Sequence, residues 1–129
     1  MPRGRYLHTM IHVADLDHSI EFYTRVMGMS LLRRGEMPAE GRSNAFLGYA
    51  PEADAAAIEL TAYTGRSNYE KGNAFGHMAL EFNDVPAACA EIAAAGGTIT
   101  KQPFMIPNGK TIAFTVDPDG YEIEMVQPA

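Results

Sequence analysis

Residues 6–14 alternate apolar and polar positions in a β-rich run that meets Asp15 and Asp17, after which Ile20, Tyr23, Val26 and Met27 recur at spacings of three and four up to Gly28. The alternation predicts a strand, and the wider spacing predicts a helix over 17–27 that either aspartate can cap and the glycine ends. Three strand-like runs follow at 29–36, 43–50 and 56–63, and then a polar, glycine-punctuated stretch at 64–73. From residue 74 the same order returns. Asp84 caps a helix with Pro86 in its first turn and Cys89 and Ile92 on its buried face, Gly96 and Gly97 stop it, and strands are predicted near 98–102, 111–117 and 121–126.

The return of the pattern is a repeat. At an offset of 69, His8 falls on His77, Ile11 on Leu80, Asp15 on Asp84 and Gly28 on Gly97. Ala45-Phe46 matches Ala113-Phe114 at an offset of 68, and Ile58-Glu59-Leu60 matches Ile123-Glu124-Met125 at 65, so the first copy carries a longer turn where the second has Asp117-Pro118-Asp119-Gly120. Insertions of that size collect in turns because the packed ladder on either side is undisturbed. Each copy reads as βαβββ. The expectation is one α+β domain spanning 1–129, with repeat 1 at about 6–63, a linker at 64–73 and repeat 2 at about 74–126, each repeat building a mixed sheet with a concave face.

Composition narrows the partners. Ten Lys and Arg against sixteen Asp and Glu give a formal charge of −6 over 129 residues, the wrong sign for a general nucleic-acid binder. One cysteine, Cys89, permits no internal disulfide, and nowhere do eighteen apolar residues run together, so neither a membrane span nor a membrane partner is expected. The start at Met1-Pro2-Arg3-Gly4-Arg5 does not read as a signal peptide, and a reducing cytoplasmic location is the expectation.

The repeat sets His8 and His77 at equivalent points of first strands and Glu59 and Glu124 at equivalent points of last strands. A lone strand glutamate is usually solvated, and the alternation that groups Glu122, Glu124 and Val126 on one face is compatible with that reading. Two His and two Glu recurring in register call for more, because a shared site is what needs that symmetry. Two imidazoles and two carboxylates make a mixed nitrogen and oxygen donor set that suits Ni²⁺, Co²⁺, Zn²⁺, Fe²⁺ or Mn²⁺ better than Ca²⁺. Four protein ligands on an ion that accepts six leave positions open for substrate.

Leu7-His8-Thr9-Met10, Phe22-Tyr23 with Met27-Gly28-Met29, Ala57-Ile58-Glu59-Leu60-Thr61, Gly76-His77-Met78-Ala79-Leu80 and Asp117-Pro118-Asp119-Gly120-Tyr121-Glu122-Ile123-Glu124 together closely resemble glyoxalase I, the lactoylglutathione lyase family of the vicinal oxygen chelate superfamily. The resemblance runs from about residue 6 to 126. It implies that His8, Glu59, His77 and Glu124 bind one divalent metal, with Ni²⁺ favoured by likeness to the short bacterial type and Co²⁺ or Zn²⁺ as alternatives. It implies glutathione as co-substrate, and isomerisation of the methylglyoxal hemithioacetal to S-lactoylglutathione by a 1,2-proton shift through an enediolate. The resemblance assigns catalysis to both carboxylates, Glu124 as the main base and Glu59 as its symmetry mate serving the other face of the substrate. The resemblance further implies a homodimer in which first-half ligands of one chain meet second-half ligands of the other. Two positions depart from the family. His12 stands where an arginine usually holds the glutathione γ-glutamyl carboxylate, and Tyr63 stands where an asparagine is usual. Lys101, Asn108 and Lys110 lie where loop lysines approach the glycyl end, and Phe114 is a further candidate substrate contact. Two alternatives stay open: an epimerase-like enzyme of the same superfamily, and a metal-free binding protein of the bleomycin-resistance kind.

Overall fold

The computed structural model describes residues 1–129, which divide into two compact units, Met1–Tyr69 and Glu70–Ala129. In the first, β1 (His8–His12) leads into helix α1 (Leu16–Glu21), and β2 (Ser30–Met37), β3 (Arg42–Gly48) and β4 (Ala57–Tyr63) follow. In the second, β5 (Met78–Glu81) leads into α2 (Val85–Ala94), followed by β6 (Ile99–Met105), β7 (Thr111–Val116) and β8 (Glu122–Gln127). The spatial orders β1-β4-β3-β2 and β5-β8-β7-β6 are the same topology, a βαβββ unit twice over. In each sheet the first and last strands run parallel and the other pairs antiparallel, so both sheets are mixed.

One face of each sheet packs on its helix. Ile11, Val13, Ala45, Leu47, Ile58 and Leu60 are buried with Leu16, Tyr23 and Met27 in the first unit; Ala113, Ile123 and Met125 are buried with Val85, Cys89 and Ile92 in the second. A fully buried side chain such as Leu47 or Leu60 contributes about 1.5–3 kcal/mol. Period-two alternation turns the remaining residues to the other face: His8, Met10, His12, Asn44, Phe46, Glu59 and Thr61 in the first sheet, and Ala79, Ile112, Phe114, Glu124 and Val126 in the second.

The first helix differs from its expected form. Asp15 caps it by accepting the His18 N–H at 3.1 Å, but regular α-helix ends at Glu21 and the chain widens over Phe22–Val26, where the Met27 N–H donates to the Phe22 carbonyl five residues back. That extra residue per turn lets the adjacent Phe22 and Tyr23 both bury, while Ile20 and Val26, expected on the buried face, are only half-buried. The second helix follows expectation, with Asp84 accepting the Ala87 N–H at 2.9 Å. Its stop needs glycine at 97, because a Cβ there would lie 2.5 Å from Ile92 Cγ2. β6 runs on through Phe104 and Met105, past the end expected near residue 102, and its pairing with β7 slips between Lys101 and Phe104, around Pro103.

The β7–β8 turn fixes where Glu124 emerges. The Asp117 carboxylate accepts the Asp119 and Tyr121 N–H groups, each at 2.9 Å, and Gly120 takes the left-handed conformation at φ 85°.

Candidate active site

β1 and β4 are hydrogen-bonded neighbours, so His8 and Glu59 meet on the face turned away from α1, with His8 Nε2 3.1 Å from Glu59 Oε1. β5 and β8 repeat the arrangement, with His77 Nε2 3.5 Å from Glu124 Oε1. The Glu59 and Glu124 side chains keep 15% and 20% exposure, enough to admit a ligand and little enough that an unpaired carboxylate is costly.

Each pair has the same supports. The Phe46 ring stands edge-on to His8 at 5.1 Å between centroids, and the Phe114 ring edge-on to His77 at 5.4 Å. Both phenylalanines sit directly opposite the glutamates in register, Phe46 with Glu59 and Phe114 with Glu124. One strand further out a cation sits in register with each ring, Arg33 beside Phe46 and Lys101 beside Phe114. The Arg33 guanidinium lies 3.5 Å from the Phe46 ring centroid and is held by both oxygens of Glu52 at 2.8 and 3.1 Å. Hydrogen bonding to Glu52 raises the pKa of Arg33, and the same contact lowers that of Glu52. Lys101 instead reaches over Phe104, 4.6 Å from its centroid, and lines a cavity of about 370 Å³ with His77, Thr100, Phe114 and Glu122.

The donor set fits a divalent transition ion. Ligand atoms about 2.1 Å from a common ion, at right or tetrahedral angles, lie about 3.0–3.4 Å apart; the nitrogen–oxygen separation of 3.1 Å falls within that range and that of 3.5 Å just above it. Nowhere in the chain do three His, Cys, Asp or Glu side chains gather into a group of metal-binding geometry. The candidate donors therefore come as two separate His–Glu pairs, one in each unit, each too few for a full metal site.

The other expected positions separate. His12 and Tyr63 lie on the His8 and Glu59 face four residues further along, where the His12 ring stacks on Tyr69 (5.0 Å, 16°) and leans on Tyr63 (5.9 Å, 46°). The Arg66 guanidinium lies 4.8 Å from the Tyr63 ring centroid. Lys110 and Asn108 sit in the exposed turn after β6, tied to each other by the Lys110 N–H donating to Asn108 Oδ1 at 3.0 Å, and it is Lys101 that borders His77. Phe114 buttresses His77. A larger cavity of about 530 Å³ lies beside α1 on the opposite face of the first sheet, where Arg34 is already engaged by Asp17 and Glu36.

Sequence reasoning missed Asn44 and Thr61. The Asn44 side-chain amide and the Thr61 hydroxyl both donate to Glu59 Oε2, each at 3.2 Å. Period-two counting from Phe46 and from Glu59 puts both on the ligand face, so the signal was present in the alternation.

Comparison with known proteins identifies the family. Residues 5–125 match the family model of the Glyoxalase/Bleomycin resistance protein/Dioxygenase superfamily. A probable lactoylglutathione lyase of Vibrio cholerae is 54% identical, over 98% of this chain and 93% of the relative. The lactoylglutathione lyase of Salmonella typhimurium is 48% identical, over 95% and 92%. Among solved structures, glyoxalase I from Zea mays superposes with a TM-score of 0.93 at 44% identity over 97% of this chain; the chain spans about half, 45%, of that protein. The trypanothione-dependent glyoxalase I of Leishmania major gives 0.86 at 40% identity over 97% of this chain and 87% of its own length.

Proposed function

Since the chain belongs to the Glyoxalase/Bleomycin resistance protein/Dioxygenase superfamily and carries the same His–Glu pair twice, we propose that it is a metal-dependent lactoylglutathione lyase, isomerising the hemithioacetal of methylglyoxal and glutathione to S-lactoylglutathione. The observation that carries this reading is the pair of equivalent imidazole–carboxylate contacts at 3.1 and 3.5 Å, a donor set that the metal-free binding alternative leaves without a purpose. His8, Glu59, His77 and Glu124 are the proposed ligands, with Ni²⁺ as the favoured ion. Two ligands from one sheet are too few for catalytic metal binding, so the reading includes a homodimer in which His8 and Glu59 of one chain join the second-repeat pair of the other. It also includes a cytoplasmic location, where glutathione is kept reduced.

When bound, the ion supplies Lewis acidity toward the two neighbouring oxygens of the hemithioacetal as negative charge develops on them. The chain supplies the proton transfer. The C1 proton of the substrate is weakly acidic, and a carboxylate beside the reacting carbons can take it from C1 and return it to C2, which is the role assigned to Glu124. Glu59 is a ligand first, and Phe46 and Phe114 hold the imidazoles edge-on so that each Nε2 points at its carboxylate. Lys101 lines the cavity beside His77, where its ammonium favours negative charge developing on a bound substrate, whereas the Arg33 guanidinium beside Phe46 is already paired with Glu52.

Glu124→Gln tests the assignment. The amide oxygen still coordinates but takes no proton, so the metal is retained and turnover falls by about 10²–10⁴. Full turnover in the metal-loaded variant rejects Glu124 as the base.

A second reading keeps the reaction and changes the thiol. His12 and Tyr63, the positions that the resemblance assigns to the γ-glutamyl end of glutathione, pack with Tyr69 and Arg66 in place of the usual arginine and asparagine, and a solved relative from Leishmania major is a trypanothione-dependent glyoxalase I. Comparing glutathione with other thiols in the same assay separates the two.

A further inference from the structure

The two proposed carboxylate ligands are equivalent by repeat and inequivalent by environment. Glu59 Oε1 faces His8, and its second oxygen accepts two hydrogen bonds, from Asn44 Nδ2 and Thr61 Oγ1, each at 3.2 Å. The Asn44 amide must present its nitrogen here, because a carboxylate can only accept. Asn44 and Thr61 are themselves cross-strand partners, and the pair at the same place in the second sheet is Ile112 and Val126. Neither of those side chains can donate. Glu124 keeps its contact with His77 at 3.5 Å and has no donor on its second oxygen in its own sheet.

A second feature belongs to the same device. Gly35 is the register partner of Asn44, and a Cβ at that position would lie 2.7 Å from Asn44 Oδ1. The glycine leaves the room that lets the carboxamide turn toward Glu59.

Resting on the metal-dependent reading above, we propose that Asn44 and Thr61 are positioning residues that hold Glu59 as a fixed ligand and leave Glu124 as the carboxylate free to swing and move the substrate proton. Two charge-assisted hydrogen bonds fix the orientation of Glu59, and any rotation away from the ion breaks both. Glu124 has apolar neighbours at those two places, so its rotation breaks neither. The asymmetry thus divides labour that the repeat alone would share equally.

The test exchanges the two environments in the full-length protein and reads nickel affinity by chelator competition alongside kcat and KM. Asn44→Ile with Thr61→Val gives Glu59 the surroundings of Glu124. It is expected to weaken nickel binding about tenfold, as loss of groups that orient metal ligands does. In the Glu124→Gln background the same two changes are expected to raise kcat about fivefold over Glu124→Gln alone, because the released Glu59 can now transfer the proton. Ile112→Asn with Val126→Thr pins Glu124 instead. Here nickel binding is expected to hold or tighten while kcat falls about tenfold at constant KM, the signature of an interaction that matters only in the transition state. Thr61→Ser is expected to keep the wild-type affinity that Thr61→Val loses.

Retention of full kcat by the nickel-loaded Ile112→Asn/Val126→Thr protein overturns the proposal, as does no gain on releasing Glu59 in nickel-loaded Glu124→Gln. If the double substitution at 112 and 126 does not fold, Val126→Thr alone adds the hydroxyl with little change of shape, and unchanged kcat there overturns the proposal equally. The wild type, measured alongside, separates the two levels. Failure of the wild type to take up metal refutes the metal-dependent reading and this inference with it. An active, metal-loaded wild type whose two exchanged variants behave alike refutes the inference alone.

Discussion

Replacing His12 by arginine is expected to improve glutathione use while destabilising the fold, and the two effects come from different contacts. His12 lies on the face of β1 that carries His8, four residues along, which is about 13 Å at about 3.3 Å per residue. That is the reach of an extended tripeptide end. A guanidinium there can grip a carboxylate through two parallel hydrogen bonds, worth about 1.5–3 kcal/mol for a charged pair. Immobilising the longer side chain offsets about 0.5–1.5 kcal/mol of this. The net of about 1 kcal/mol lowers KM for the glutathione hemithioacetal about fivefold. Stability moves the other way, because the stack of His12 on Tyr69 at 5.0 Å and 16° is lost. An aromatic pair contributes about 0.5–1.5 kcal/mol, which lowers Tm by about 4 °C in a domain of this size. Steady-state kinetics with hemithioacetal concentration varied, followed by thioester absorbance, gives KM, and scanning calorimetry gives Tm. An unchanged or higher KM in a folded, metal-loaded His12→Arg protein refutes the idea that this end of the sheet anchors the thiol's carboxylate.

Two further expectations concern the scaffold. Gly97→Ala places a methyl 2.5 Å from Ile92 Cγ2 and 3.0 Å from the Ile92 carbonyl oxygen, which costs about 1–3 kcal/mol; a urea midpoint equal to that of the wild type contradicts the packing of α2 against its exit. The Tyr49 hydroxyl donates to the Met27 carbonyl at 2.7 Å, and although half of the residue is exposed, desolvation at the hydroxyl end pushes the pKa up to about 12, so its phenolate band appears above the pH at which a free tyrosine ionises. The folded pKa is the higher one, so this group's contribution is complete below about pH 10 and is lost as pH rises from there to about 12; Tyr49→Phe is expected to remove that component of alkaline unfolding, and an identical alkaline profile refutes it.

Much of this architecture was legible because the repeat checks itself. The offsets of 69, 68 and 65 read from the sequence reappear as strand register, with Phe46 opposite Glu59 as Phe114 is opposite Glu124. The two His–Glu pairs were legible for the same reason, since neighbouring parallel strands bring equivalent positions together twice. The widened turn at Phe22–Val26 was not, because apolar spacings of three and four describe a regular helix and carry no mark of a five-residue hydrogen bond. The extension of β6 through Phe104 was hidden by Pro103, which reads as a strand breaker and here accompanies an irregular stretch of pairing. Asn44 and Thr61 were overlooked since they are ordinary polar residues in one repeat and apolar in the other, and a search for matching residues passes over the places where the copies differ. The pairing of Arg33 with Glu52 links a strand to a turn nineteen residues away, a contact that no periodicity encodes.

The central claim is the proposal that the His8–Glu59 pair of one chain and the second-repeat pair of its partner together hold one catalytic ion. Metal-depleted protein titrated with Ni²⁺ in the presence of methylglyoxal and glutathione, with bound metal and thioester formation followed together, tests it most directly. Each ion uses both kinds of pair and each chain carries one of each, so uptake and activity are expected to rise in parallel and saturate together at one ion per chain. Thioester formation at the full rate in metal-depleted protein, or stoichiometric nickel with no thioester formed, would contradict it.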